Sequence, residues 1–180
     1  MINEFFMQDV VGYDADARSV EVFVLEHGPY TFNLDLFIEY LSLNKTKLTK
    51  KAKDKLIKRF LKLNPGPQYI WLFCKYTGDN DMLVDLLAKS NVRDADIYRY
   101  YYCNEVKDRP ELWQRFTSPE ARPFAQALYC KDICDREEIW QALAANVNDD
   151  AVVWQQWYCR EVKRRPEIVA AAKKNMERGL

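Results

Sequence analysis

Tyr101-Tyr102-Cys103 has three counterparts in this chain: Leu72-Phe73-Cys74, Leu128-Tyr129-Cys130 and Trp157-Tyr158-Cys159. The four cysteines lie 29, 27 and 29 residues apart, and an aromatic residue precedes each one. Three residues on from each stand Thr77, Val106, Ile133 and Val162. Nine residues on stand Leu83, Leu112, Ile139 and Ile168. A register this regular marks stacked supersecondary units, each too small to bury its apolar face alone.

Working outward from the motif, each unit reads as helix, short turn, helix. In the last unit Trp154, Tyr158 and Val162 recur at four-residue spacing, which places them on one helical stripe. Arg164-Arg165-Pro166 makes the turn, and Pro110 holds the place of Pro166 in its own unit. Proline is favoured in the first turn of a helix, where its missing N–H is not needed. Asp81 and Glu137 stand there in the other two units and suit the positive end of a helix dipole. The expected hairpins span about 68–93, 94–121, 122–148 and 149–180.

Residues 1–67 do not follow the register and are expected to form an N-terminal cap. β-Branched and aromatic runs at Asp9-Val10-Val11-Gly12-Tyr13 and Val20-Glu21-Val22-Phe23-Val24-Leu25 read as a small β-meander, with a helix over 17–27 as the competing reading. Asn33 is a candidate N-cap for a first helix. A second is expected over 46–63, with Leu56, Ile57, Phe60 and Leu61 on its apolar face and lysines over the rest. Asn64-Pro65-Gly66-Pro67 stops it. The fold class expected is therefore mainly α: an α-solenoid of about four helical hairpins behind a small N-terminal α+β cap.

Two further segments carry a family resemblance. Ala142-Leu143-Ala144-Ala145-Asn146-Val147-Asn148-Asp149-Asp150-Ala151-Val152-Val153, followed by Tyr158-Cys159-Arg160-Glu161-Val162, resembles a short HEAT-like repeat of the phycobilin-lyase type. So does Cys74-Lys75-Tyr76-Thr77-Gly78-Asp79-Asn80-Asp81-Met82-Leu83. The resemblance covers residues 68–180. It implies a helical-repeat fold whose members are mostly binding scaffolds, a few being enzymes such as DNA-lesion glycosylases.

Composition narrows the function classes. Lys plus Arg and Asp plus Glu number 27 each, which argues against a general polyanion binder. The balance hides segregation: residues 1–44 carry eight acids and only Arg18, whereas 45–63 carry nine Lys or Arg against Asp54. No apolar run approaches the roughly 18 residues that span a membrane, so no membrane insertion is expected. Met1-Ile2-Asn3-Glu4-Phe5-Phe6 lacks the basic flank of a signal peptide. Five cysteines, four of them at equivalent positions, read as reduced thiols in a cytoplasmic protein.

Chemistry-bearing residues each have two readings. Cys130 and Cys134 lie one helical turn apart, but equivalent repeat positions stand roughly 10 Å apart, too far to share one zinc ion. No metal and no cofactor is expected. His27 is the only imidazole, and no nucleophile stands near it in sequence, so the chain is expected not to be an enzyme. The residual enzymatic reading, a HEAT-like glycosylase, would use Trp140 with Glu137 or Glu138.

Arg109, Arg136 and Arg165 share one repeat position. They form either a ladder for carboxylates or phosphates, or pairs with Asp79, Asp108 and Asp135 of neighbouring units. Trp113-Gln114 and Trp140-Gln141 share another position, with Val84 and Val169 there in the terminal units. They read either as an anchor patch on the second-helix surface, which the resemblance implies is the concave one, or as plugs between units. The expected function is non-catalytic protein binding through Trp113, Gln114, Trp140, Gln141, Arg109 and Arg136, as an adaptor, chaperone, inhibitor or immunity-type partner. The alternative is nucleic-acid binding through Lys50, Lys51, Lys55, Lys58, Arg59 and Lys62 with Arg164 and Arg165.

Overall fold

The computed structural model of the protein describes Ile38, Ser42 and residues 50–62, 64–92 and 94–179. The meander, the helix after Asn33 and His27 lie outside the described residues, as do the side chains of Lys51, Lys55 and Arg59. The described residues are mainly helical, and no strand occurs among them. The chain divides into two compact units, one ending at Gly78 and one spanning Asp79–Leu180.

In the first unit, helix α1 is Lys50–Lys62 and α2 is Pro67–Thr77. The apolar stripe of α1 buries Ile57 and Phe60, and the Phe60 ring stacks on Phe73 of α2 with centroids 4.5 Å apart. Asn64 takes the left-handed conformation at φ 48°, so the chain turns there; Pro65 keeps α1 from continuing, and Pro67 opens α2 at the position where a missing N–H costs nothing. Thr77 returns its hydroxyl to the Phe73 carbonyl, while Lys53 Nζ donates to the Thr77 carbonyl at 2.6 Å. Gly78 leaves the helix at φ 96°, a conformation open to glycine at little cost.

The second unit holds α3 (Asp81–Lys89), α4 (Ala95–Glu105), α5 (Pro110–Trp113), α6 (Pro123–Asp132), α7 (Glu137–Ala145), α8 (Ala151–Glu161) and α9 (Pro166–Glu177). The α5 helix runs on as a 3₁₀ turn over Gln114–Thr117. Helices α4–α5, α6–α7 and α8–α9 pair as antiparallel hairpins. The first helices α4, α6 and α8 lie side by side in one layer; α3, α5 with its 3₁₀ turn, α7 and α9 form the other. This repeat-like packing follows from the register. The second helices begin at Asp81, Pro110, Glu137 and Pro166, one repeat position in all four.

The layers meet on the motif. Tyr102, Tyr129 and Tyr158 are fully buried, as are Leu83, Leu112, Ile139 and Ile168 from the facing layer. Rings this large fill the space between short helices, which is why so small a unit reaches a closed core. At α3 the Asn80 side chain accepts the Leu83 N–H at 3.2 Å and caps the helix. The 3₁₀ turn ends at Ser118, held out of the α region by Pro119, and Phe116 is drawn fully into the core. Among the described residues no helix is long and apolar enough to cross a membrane.

Candidate functional site

Two polar ladders run through the second unit, one along each end of the hairpins. At the turn end, a tyrosine and an arginine of one repeat clasp an aspartate of the repeat before it. Tyr102 donates its hydroxyl to Asp79 at 2.6 Å, and Arg109 reaches Asp79 at 3.1 Å and Asp81 at 2.7 Å. One repeat on, Tyr129 donates to Asp108 at 2.9 Å, while Arg136 donates to both the Tyr129 hydroxyl and Asp108. The third rung is the same: Tyr158 donates to Asp135, and Arg165 donates to both. Burial, with the aspartate beyond it, pushes the Tyr158 phenol well above its ordinary range. Burial would raise Asp79, but the Tyr102 hydroxyl, Lys107 and Arg109 outweigh it and hold the carboxylate below its ordinary value.

At the loop end, Arg99, Gln126 and Gln155 share one register position and are all buried. Each donates to carbonyls at the end of the preceding second helix: Arg99 to Leu87, Gln126 to Phe116 and Ser118, Gln155 to Leu143 and Asn146. Helix ends leave such carbonyls unpaired, so one side chain per repeat closes that account. Asn146 and Asn175 complete the row. Asn146 donates to the Ala121 carbonyl and Gln126, and Asn175 to the Asn146 carbonyl and Gln155. Burial lowers the pKa of the Arg99 guanidinium, and Asp96 beside it opposes that. A polar groove of about 720 Å³ opens beside Arg99, between Ser90–Val92, Ser118–Arg122 and Asn148–Asp150, with acids and arginines mixed along it.

An aromatic band lies on the outward side of the α4–α6–α8 layer. Phe124, Trp154 and Trp157 are each half-buried, with Phe124 6.0 Å from Trp154 and Trp154 edge-on to Trp157 at 5.4 Å. Tyr98 and Tyr101 of α4 hold the register of Trp154 and Trp157 and are half-buried too. Val153 is 63% exposed in the same band. Two cations lie over these rings: Arg122 is 5.7 Å from Phe124, and Lys131 is 5.1 Å from Trp157.

The residues expected to form a site are distributed as follows. Arg109, Arg136 and Arg165 all pair with the aspartate of the repeat before them. Trp140 is buried at 7% exposure under the Arg165 guanidinium, and Trp113 is half-buried under that of Arg136, both at 4.2 Å. Gln114 and Gln141 are exposed, Gln141 donating to Glu137. Lys50, Lys58, Lys62 and Arg164 are exposed. Cys74, Cys103 and Cys130 are buried, Cys159 is half-buried and Cys134 is exposed. Among the described residues no three His, Cys, Asp or Glu side chains converge as metal ligands.

Sequence reasoning missed the outward aromatic band. Its signal was present: Trp154 and Trp157 stand three residues apart on one side of the buried Gln155–Tyr158 stripe, and the structure sets Trp154 on that outward side rather than on the stripe of Tyr158 and Val162. No protein-family model, no curated protein and no solved structure matches this chain.

Proposed function

We propose that the chain is a non-catalytic protein-binding scaffold, an α-solenoid of four helical hairpins behind an N-terminal cap. It would work as an adaptor, a chaperone or an inhibitor of another protein. The observation that carries this reading is the outward band of Phe124, Trp154 and Trp157, partly exposed on neighbouring helices of one layer. Tryptophans left partly accessible on a surface are among the side chains that most often anchor protein interfaces. The second-helix version of the same function uses Trp113, Gln114, Trp140 and Gln141. A partner there would first have to lift Arg136 off Trp113. Buried thiols at equivalent repeat positions support a reducing, cytoplasmic setting.

The test is affinity capture from the native cell with the unaltered chain and two double variants, Trp154→Ala/Trp157→Ala and Trp113→Ala/Trp140→Ala. Loss of the captured protein in the first pair, with helical content retained, is the expected result. Loss only in the second pair moves the site to the other layer. Capture unchanged in both overturns the proposal. A second reading, polyanion binding through α1, draws on the exposed Lys50, Lys58 and Lys62; its mark is affinity that falls steeply with added salt.

A further inference from the structure

The clasp that joins the repeats changes sign in the last one. Asp79, Asp108 and Asp135 share one register position, and the next residue in that series is Arg164. Arg164 is exposed. Among the described residues, no helix packs on the side of hairpin α8–α9 that corresponds to the joined faces of α4–α5 and α6–α7. Cys103 and Cys130 are buried, whereas Cys159 is half-exposed. Trp113 and Trp140 lie under an arginine of the next repeat, whereas Val169 at the same position is 40% exposed. Met176, two turns further along α9, is 57% exposed. Between α8 and α9 this side holds a groove of about 310 Å³, with Cys159, Val169, Ala172 and Met176 as its apolar wall and Gln156, which donates to the Met176 sulfur, and Lys173 at its polar edge. The segment 159–180 carries seven Lys or Arg against three Glu, with Arg165 taken by Asp135 and Arg160 by Glu161.

From this geometry we infer that the open face of α8–α9 docks a helix of a partner protein, one with an apolar stripe flanked by carboxylates. The face continues the stacking surface that already joins helical hairpins elsewhere in the unit, so a helix is the element whose shape it fits. Charge decides which helix. A hairpin of this chain's own kind would bring a tyrosine and an arginine, and these would meet Arg164 where an aspartate is needed. A carboxylate-flanked helix meets Arg164 and Lys173 with opposite sign. The inference concerns a different surface from the aromatic band, and each stands or falls without the other.

The probe is a synthetic amphipathic peptide with leucines at i, i+3, i+4 and i+7 and glutamates on the flanks, compared with its lysine-flanked twin. Binding to the full chain is followed by fluorescence anisotropy, and the site is mapped by amide chemical shifts. The glutamate peptide is expected to bind at least about tenfold more tightly than the lysine peptide, with shifts centred on α8 and α9. Val169→Glu with Met176→Glu, two exposed positions that leave the core intact, lowers that affinity by about tenfold or more; so does Arg164→Asp; Trp154→Ala does not. Equal binding of both peptides, no saturable binding at low salt, or binding indifferent to Val169→Glu/Met176→Glu overturns the inference. So does self-association of the unaltered chain that Met176→Glu abolishes, which would make a second copy the occupant.

Discussion

Burial pushes the thiols of Cys103 and Cys130 up to about 12, so both stay protonated at neutral pH and neither is a ready nucleophile. Cys134, past the end of α6, is exposed. Alkylation of the native protein at pH 8 should therefore modify Cys134 first and Cys159 next. Cys74, Cys103 and Cys130 should react only at the rate of unfolding, as read by mass spectrometry over time. Early modification of Cys103 would show that its repeat junction opens locally. The seam position of these thiols was legible in the sequence, because a small residue recurring beside a large ring has one good place to be. The fate of Trp140 was not. Its cover is Arg165, 25 positions along the chain, and no local pattern says whether a guanidinium will lie over an indole.

The elements are joined by the clasp, and its middle rung is the best one to measure. Tyr129 is fully buried, while the side chains of Asp108 and Arg136 are each about one-third exposed. Tyr129→Phe removes one hydrogen bond between repeats and should cost about 1 kcal/mol in urea unfolding. Combined with Asp108→Asn in a double-mutant cycle, it should give a coupling of about 0.5–1.5 kcal/mol, because the two share one network. By contrast, Lys107→Ala removes a pair more than half exposed on the lysine side and should change stability by less than about 1 kcal/mol. An additive cycle would mean that the tyrosine ring, not its hydroxyl, joins the repeats. The helix starts at Asp81, Pro110, Glu137 and Pro166 were readable from local chemistry alone. The 3₁₀ ending of the α5 hairpin was not, since it follows from how deeply Phe116 is drawn into the core.

Over the whole molecule the clasps link charge to stability. Asp79 has a carboxylate pKa lowered from its ordinary 3.8 by Tyr102, Lys107 and Arg109 against the effect of burial. A group depressed in the folded state contributes stability at pH values above its unfolded pKa and loses it as pH falls through the folded one. Urea midpoints should accordingly hold from pH 7 to about 5 and fall below about 4, and Asp79→Asn should flatten that fall. An unchanged acid limb in the variant would place the linkage on other carboxylates. The repeat architecture was readable from one register, whereas the outward aromatic band needed the packing of α6 against α8 to bring Phe124 to Trp154.

An interior hairpin of this chain carries both halves of its fastening: the Tyr129–Arg136 pair points backward and Asp135 points forward. Copying residues 122–148 in tandem would thus supply every bond the extra junction requires. Copying 149–180 would set Arg164 against an arriving arginine. Lengthening by gene duplication is open to the middle of this molecule and closed at the segment that ends in α9.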